Sequence, residues 1–335
     1  MKRPFFSIVI ATYNSEKTLG YTLQSIKNQE FDKEDIEILV IDGGSTDRTK
    51  DIAKEFNAIV LENRMKLPEY AKAIGVANAT GKYIIRMDSD EEFVYSSQLQ
   101  EKKDFYLNHK DIYVLLGNRY VDGRKEICGI SAPYMNILGD PFSYFVYKLD
   151  DDRCITYKNN IIWNEKKEHI FRFGDNDILP LADSGTCSYS LDFIKNTFPE
   201  TYTSIDFTCS TFEEIISQTK LCGCIKGDNI IHNCKSDIKT YFKKLKFRVV
   251  NNVFSKKESG FSSKDNTNSK GRVFLFCLYA LVVPIPILDS IKLAIKHREM
   301  SFLLHFVYLY YVCIQIVIAY LQLISGKRLK NKMYG

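Results

Sequence analysis

The chain has 335 residues, enough for a large α/β core with an appendage and too many for one minimal domain. Hydrophobic residues make up 45% and the net charge is +5, but lysine and arginine crowd residues 235–272 and the extreme C-terminus, beside two long apolar runs. That distribution favours a membrane surface and disfavours a nucleic-acid groove, while nine irregularly spaced cysteines argue against a secreted disulfide scaffold and for a reducing compartment.

Met1-Lys2-Arg3 and the apolar residues after it imitate a signal peptide, but the run is short and reads better as a first strand, Phe6 to Ala11. Thr12-Tyr13-Asn14 follows as a loop, and a helix is predicted from Ser15, with Leu19, Leu23 and Ile26 at helical spacing. Ile36 to Ile41 is the second strand, closed by Asp42-Gly43-Gly44-Ser45-Thr46-Asp47, where Ser45, Thr46 or Asp47 can cap a helix to about Phe56. Ala58 to Leu61 is a third strand. Pro68 opens a helix through Ala79, with Gly81 as its C-cap glycine. Tyr83 to Met87 is the fourth strand, followed by a polar helix to about His109 and a fifth strand, Ile112 to Leu116.

This alternation predicts a Rossmann-like, mostly parallel sheet flanked by helices. In such sheets ligands lie beyond the carboxyl ends of the strands. Three polar clusters fall there: Thr12-Tyr13-Asn14, Asp42-Gly43-Gly44-Ser45 and Asp88-Ser89-Asp90. Carboxylates two apart on an extended chain point the same way, so Asp88 and Asp90 can share a hard cation. Alone, an Asp-x-Asp step reads as a solvated acidic turn; the two other strand ends reverse that reading. An EF-hand is excluded by Phe93 at the position that needs glycine. No Gly-x-Gly-x-x-Gly follows the first strand and there is no Walker-type Gly-Lys-Ser/Thr, which disfavours a dinucleotide dehydrogenase or a P-loop enzyme.

Ile-Ala-Thr-Tyr-Asn, then Val-Ile-Asp-Gly-Gly-Ser-Thr-Asp, then Ala-Thr-Gly-Lys-Tyr-Ile-Ile-Arg-Met-Asp-Ser-Asp-Glu resembles the N-terminal half of family 2 glycosyltransferases with the GT-A fold, over residues 5 to about 92. The resemblance implies an inverting transfer from a nucleotide sugar. It places Thr12, Tyr13, Asn14, Asp42, Gly43 and Lys72 at the nucleotide, Asp88 and Ser89 at the diphosphate, and Asp88 and Asp90 on Mg²⁺ or Mn²⁺. His232 falls where relatives often carry a histidine near that metal. Two departures stand out: Ala11 replaces a common proline, and Gly43 replaces a frequent aspartate that contacts the base.

Residues 1–117 then form the nucleotide-sugar half of the GT-A domain and 118–234 its acceptor half. Asp183 to Ser188 reads as a turn entering a strand, with a helix from Leu191 to Asn196 and another from Phe212 to Leu221. A hydroxyl acceptor needs a carboxylate as general base. The resemblance points to Glu213 or Glu214, ahead of Gly223, with Asp206 as competitor; an exposed helix face explains the glutamates equally well. Cys222, Cys224, His232 and Cys234 invite a zinc reading, but alternate positions of one strand account for the cysteines without metal.

Residues 235–272 form a basic amphipathic segment and linker suited to a lipid headgroup layer, or packed on the catalytic domain. Residues 273–326 form a transmembrane helical hairpin, from runs at Val273 to about Ile291 and Ser301 to about Ser325, each near the ~20 residues that span a bilayer. Pro284, Pro286 and Asp289 make the first run a candidate for a kink or re-entrant loop, and Lys292, Lys296 and Arg298 between the runs go against the positive-inside tendency, but the basic surroundings of Arg272 and of Lys327-Arg328-Leu329-Lys330 are stronger and place both ends in the cytoplasm. Residues 327–335 are a basic cytoplasmic tail. The expectation is a membrane-held enzyme with its catalytic domain in the cytoplasm, acting on a lipid-linked glycan. The alternatives are a polyprenyl-phosphate monosaccharide synthase and a non-catalytic GT-A-like scaffold.

Overall fold

The computed structural model describes residues 2–147, 152–175, 177–180, 187–254 and 269–326. Asp183 to Thr186, the linker 255–268 and the tail 327–335 lie outside the described residues. The chain divides into two compact units, residues 1–121 with 152–233, and residues 122–151 with 234–335.

The chain opens with β1 (Phe6–Thr12), α1 (Leu19–Lys27), β2 (Ile36–Asp42), α2 (Thr49–Glu55), β3 (Ile59–Glu62), α3 (Pro68–Asn78) and β4 (Tyr83–Asp88). It continues through β5 (Glu91–Phe93), α4 (Gln98–Asn108), β6 (Val114–Leu116) and β7 (Tyr120–Asp122). Next come α5 (Ala132–Leu138) and α6 (Pro141–Tyr147), then α7 (Arg153–Thr156), β8 (Ile161–Glu165) and β9 (Glu168–Arg172). After β10 (Cys187–Ser190) follow α8 (Leu191–Thr197), α9 (Ile205–Cys209), α10 (Thr211–Thr219), β11 (Leu221–Ile225) and β12 (Ile230–His232). The chain then turns helical, with α11 (Ile238–Phe254), α12 (Ser269–Leu281), α13 (Pro284–His297) and α14 (His305–Ile324).

In the first unit a nine-stranded sheet runs β3-β2-β1-β4-β10-β6-β11-β9-β8. β3, β2, β1 and β4 are parallel; the apolar runs of β1 and β4 suit strands covered on both faces, while β3 lies partly exposed at the sheet edge. β10 is antiparallel to both β4 and β6, and β9 is antiparallel to β11. Val9, Leu39 and Ile84 pack under α3 on one face, and Phe6, Ile8, Ile10 and Ile85 under α1 and α4 on the other. A second sheet of three short strands, β5-β12-β7, follows directly on β4.

Local differences from the expected elements have physical causes. The helix predicted from Ser15 begins at Leu19, because Ser15 is held in the strand-end loop. α3 ends at Asn78 with Ala79 as its cap, so Gly81 is not the cap. Gly81 serves close packing instead: a Cβ there would lie 2.7 Å from the Ser7 backbone nitrogen. The polar stretch after Asp88 forms a strand before its helix, and the strand expected from Ile225 to His232 is two short strands in different sheets. Cys222 and Cys224 lie buried on β11, with Gly223 between them against Phe105; Cys224 Sγ is 3.6 Å from Cys154 Sγ.

The second unit is helical around Tyr134, Tyr241, Phe276, Phe302 and Tyr308. Tyr241, Leu245 and Val249, four apart on α11, are all buried, and α11 packs on α14. By length and composition one helix, Met300–Ile324, can cross a membrane. The first apolar run is kinked, the alternative that Pro284, Pro286 and Asp289 offered to a straight span: it is two helices bent by 90° at a break after Leu281.

Candidate active site

The strand register aligns the candidate loops. Thr12 pairs with Asp42 across β1 and β2, and Ala11 pairs with Asp88 across β1 and β4, so three loops leave the sheet at one level.

Asp42 organises the second loop. Its carboxylate is buried and accepts hydrogen bonds from the Gly44 and Ser45 amides, both at 3.0 Å, and from Ser45 Oγ at 2.5 Å. Gly44 takes φ +85°, which favours glycine. The helix behind the loop is stabilised by Asp47, which accepts from the Thr49 amide at 3.0 Å. Gly43 donates its amide to the Thr12 carbonyl at 2.8 Å, and a Cβ there would lie 3.3 Å from that oxygen and 3.4 Å from the Tyr13 ring. A larger residue at 43 therefore crowds the first loop.

The loops are bonded to one another. The Asn14 amide donates to Ser45 Oγ at 2.8 Å, and Asn14 Oδ1 accepts from the Thr46 amide at 2.9 Å. Asn14 holds φ +49°, a conformation asparagine tolerates better than most residues. Ser15 Oγ lies 2.8 Å from Ser89 Oγ, and Thr22 Oγ1 donates to the Ser89 carbonyl at 3.0 Å. Ser89 is thus turned toward the first loop. The Tyr13 ring stands out from the surface, 52% exposed.

Ser89 and Asp90 form the two-residue turn from β4 into β5, so the turn rather than strand alternation sets the spacing of the two aspartates. Both aspartates are half-buried. Glu91 beneath them is fully buried; it accepts from the Asp88 amide at 2.9 Å and from the Tyr120 hydroxyl at 2.6 Å. Burial, and then the charge of Asp88, push its carboxyl well above the usual range. β12 closes the turn from the other side: the Asn233 amide donates to the Asp90 carbonyl at 2.8 Å, and His232 Nε2 lies 3.6 Å from Asp90 Oδ2.

Behind the turn stands a residue the sequence reading passed over. Arg86, on β4 two residues before Asp88, is buried, donates to the Thr208 carbonyl and lies 5.2 Å from the centre of the Tyr189 ring. Burial opposes its charge, while Tyr189, Cys187, Cys209 and Glu213 favour it and hold its pKa up. The available signal was a lone arginine inside an apolar strand. Glu213 and Glu214 occupy the first turn of α10, half-buried, and Asp206 is exposed on the first turn of α9. Lys72 lies on α3, which packs against α9; its charge and that of Asp206 both bear on the Cys209 thiol, whose pKa is raised by burial.

Among the described residues, no three His, Cys, Asp or Glu side chains form a metal-binding group. The carboxylate oxygens of Asp88 and Asp90 are of the kind that suits Mg²⁺ or Mn²⁺; Mg²⁺ is usually held by one or two carboxylates and completed by substrate phosphates.

The family model described as Glycosyl transferase family 2 matches residues 7–158, spanning all three strand-end loops. Residues 7–158 are thus similar to family 2 glycosyltransferase domains. The matched region has relatives in bacteria and archaea. The minor teichoic acid biosynthesis protein GgaA of Bacillus subtilis is 35% identical over 130 residues, covering 36% of this chain and 29% of that protein. A Methanococcus voltae enzyme, dolichyl N-acetyl-alpha-D-glucosaminyl phosphate 3-beta-D-2,3-diacetamido-2,3-dideoxy-beta-D-glucuronosyltransferase, is 33% identical over 116 residues, covering 32% of this chain and 34% of that one. The chain thus matches about a third of the length of these curated relatives. Among solved structures, a mannosyltransferase from Pyrobaculum calidifontis in complex with GDP-Man and Mn²⁺ superposes with a TM-score of 0.52 over 95% of this chain and 88% of that one. At 13% identity the likeness is one of fold, the GT-A arrangement expected from the sequence.

Proposed function

We propose that the chain transfers a sugar, with inversion, from a nucleotide-sugar donor to a lipid-linked acceptor. The observation that carries the proposal is the alignment of three mutually bonded strand-end loops with the Asp88-Ser89-Asp90 turn, inside a glycosyltransferase domain. Tyr13 offers a ring face to the nucleotide base, and the Thr12–Asp42–Ser45 network holds the loop at the ribose. Lys72 adds positive charge for the phosphates. Asp88, Asp90 and His232 would hold Mg²⁺ or Mn²⁺, whose chemistry when bound is Lewis-acid stabilisation of the leaving diphosphate. Glu213, Glu214 or Asp206 would take the proton from an acceptor hydroxyl as it attacks the sugar. Arg86 positions α9 through the Thr208 carbonyl.

The acceptor assignment draws on the two relatives, one named for teichoic acid biosynthesis and one for a dolichyl-linked sugar. It also draws on the apolar C-terminal helices, which would keep the enzyme at a membrane with its catalytic domain in the cytoplasm, where nucleotide sugars are made.

The test incubates membranes containing the full chain with radiolabelled nucleotide sugars, with and without Mn²⁺. Label should enter a lipid fraction and fall about 10²-fold or more in Asp90→Ala. Undiminished transfer in that variant would refute the metal assignment. Glu213→Gln, Glu214→Gln and Asp206→Asn divide the acceptor classes: one of them abolishes transfer to a hydroxyl, whereas transfer to an ionised polyprenyl phosphate survives all three.

A further inference from the structure

We propose that the helical unit is seated in one leaflet of an anionic bilayer, with the α12–α13 elbow and the end of α14 dipping into hydrocarbon and neither crossing it. This deepens the reading that the chain works at a membrane, and it does not depend on the transfer reaction.

Length is the first argument. The apolar arms of the elbow, Gly271–Leu281 and Pro284–His297, meet at 90°, so their lengths do not add along one axis. At 1.5 Å per residue they reach about 16 and 21 Å, against a hydrocarbon core of about 30 Å. Apolar residues are exposed along both arms, Phe274 and Leu275 on the first and Leu288 and Ile295 on the second, and at the tip, where Leu281 is 74% exposed beside Val282, Val283 and Ile285.

The bend is built, not incidental. Pro284 has no N–H to offer the Ala280 carbonyl, and the Tyr310 hydroxyl donates to that carbonyl at 2.9 Å. The Tyr279 hydroxyl donates to Asp289 Oδ2 at 2.7 Å, tying one arm to the other. Ser290 Oγ donates to the Pro286 carbonyl at 2.7 Å and accepts from the Phe306 amide at 3.0 Å, which fixes α13 to the start of α14. Backbone groups opened by a break must find partners inside the protein if the break lies in lipid, and these bonds supply them.

α14 has the same limited reach. No residue from Ser301 to Cys313 is exposed; this half is packed inside the unit, with His305 Nδ1 bonded to the Tyr134 hydroxyl and the Tyr308 hydroxyl to Ser131. Exposed apolar residues begin at Ile314 and end at Ile324, which is 81% exposed. Those eleven positions cover about 16 Å, one leaflet rather than two.

Charge supplies the partner. Arg272 stands at the start of the first arm, and Lys292 and Lys296 lie in the half of the second arm away from the tip, with Arg298 just past its end, so the ends of the elbow remote from its tip carry the basic residues that stay on one side of a membrane. On α11 Tyr241, Leu245 and Val249 are already buried, while Lys239, Lys243 and Lys246 at helical spacing are exposed. Exposed lysines and exposed apolar tips in one unit fit anionic headgroups above hydrocarbon.

The test uses the full chain in sealed membrane vesicles prepared in both orientations. Cysteines introduced as Lys239→Cys, Arg298→Cys and Ser325→Cys are probed with a membrane-impermeant maleimide, and the parent chain gives the background. Where Lys239→Cys labels from outside the vesicle, Arg298→Cys should label with it, equally before and after permeabilisation, and Ser325→Cys, at the end of the helix that stops inside the leaflet, should label from neither face. Protection of Arg298→Cys on the face where Lys239→Cys reacts would show that the elbow crosses, labelling of Ser325→Cys only from the opposite face would show that α14 crosses, and its labelling from the same face would show that α14 does not dip; each overturns the proposal. Purified chain should also float with phosphatidylglycerol-containing vesicles and lose flotation with pure phosphatidylcholine. Equal flotation with both lipids, or with neither, overturns the anionic-leaflet assignment. Sugar transfer assayed in detergent reads the catalytic proposal separately.

Discussion

The strand-end loops of the sheet and the elbow of the helical unit both interrupt regular structure, and both repair the interruption with side-chain hydrogen bonds. In the loops, Asp42, Asn14, Ser45 and Ser89 satisfy one another and nearby backbone amides, while Asp88, Asp90 and the Tyr13 ring remain accessible. In the elbow, Tyr310, Tyr279 and Ser290 turn their polar groups inward and leave Leu281 and Leu288 outside. The same device thus builds a polar surface in one unit and an apolar one in the other. What remains outside after the backbone is satisfied is what the two proposals rest on: phosphate and metal for the first surface, lipid for the second.

The largest expected effect comes from breaking the loop side of this comparison. Asp42→Ala removes an ionised acceptor and leaves the Gly44 and Ser45 amides without their partner. The first unit should lose about 3 kcal/mol or more, and nucleotide binding should be lost with it. Denaturant unfolding and nucleotide titration check both. On the elbow side, Tyr310→Phe leaves the Ala280 carbonyl unsatisfied at a cost of about 1–3 kcal/mol. Thermal unfolding in detergent should show a destabilised helical unit, and nucleotide binding should be unchanged.

The smallest effect is a pH dependence away from both features. Asp35 is buried beside Lys103, whose hydrogen bond, with that of Lys2, holds its carboxyl below the usual value near 3.8. A carboxyl whose pKa is depressed by folding stabilises the fold above its unfolded pKa and loses that contribution as pH falls through the folded one. Acid unfolding of Asp35→Asn should therefore be less steep than that of the parent below about pH 4, with the variant less stable at neutral pH.

Much of the first unit was legible because its signals are local. An apolar run ended by Thr12, Asp42 or Asp88 announces both a strand and the polar loop at its end. The insertion of β10 between β4 and β6 is not written locally; it joins residues about a hundred positions apart. β5, β7 and β12 have three residues each, too few for a period to show. His232 was named from the resemblance, and its approach to Asp90 follows from the pairing of β12 with β5. Arg86 looked like any strand arginine until its burial under Thr208 was visible. Asp206 and Glu213 read alike as acids in a first helical turn; packing separates them, leaving Asp206 exposed and turning the charge of Glu213 toward Arg86. Pro284 marked the elbow, but its angle depended on Tyr310, a residue from another helix.

The central claim, a metal-assisted nucleotide-sugar site at the ends of β1, β2 and β4, is tested most directly by calorimetric titration of UDP and GDP into the full chain. Parent and Asp90→Ala are each titrated with Mn²⁺ and after its removal by chelation. The account expects one of the nucleotides to bind the parent only when Mn²⁺ is present, and neither to bind the variant. Binding of the same strength without metal, or undiminished binding to Asp90→Ala, would contradict it.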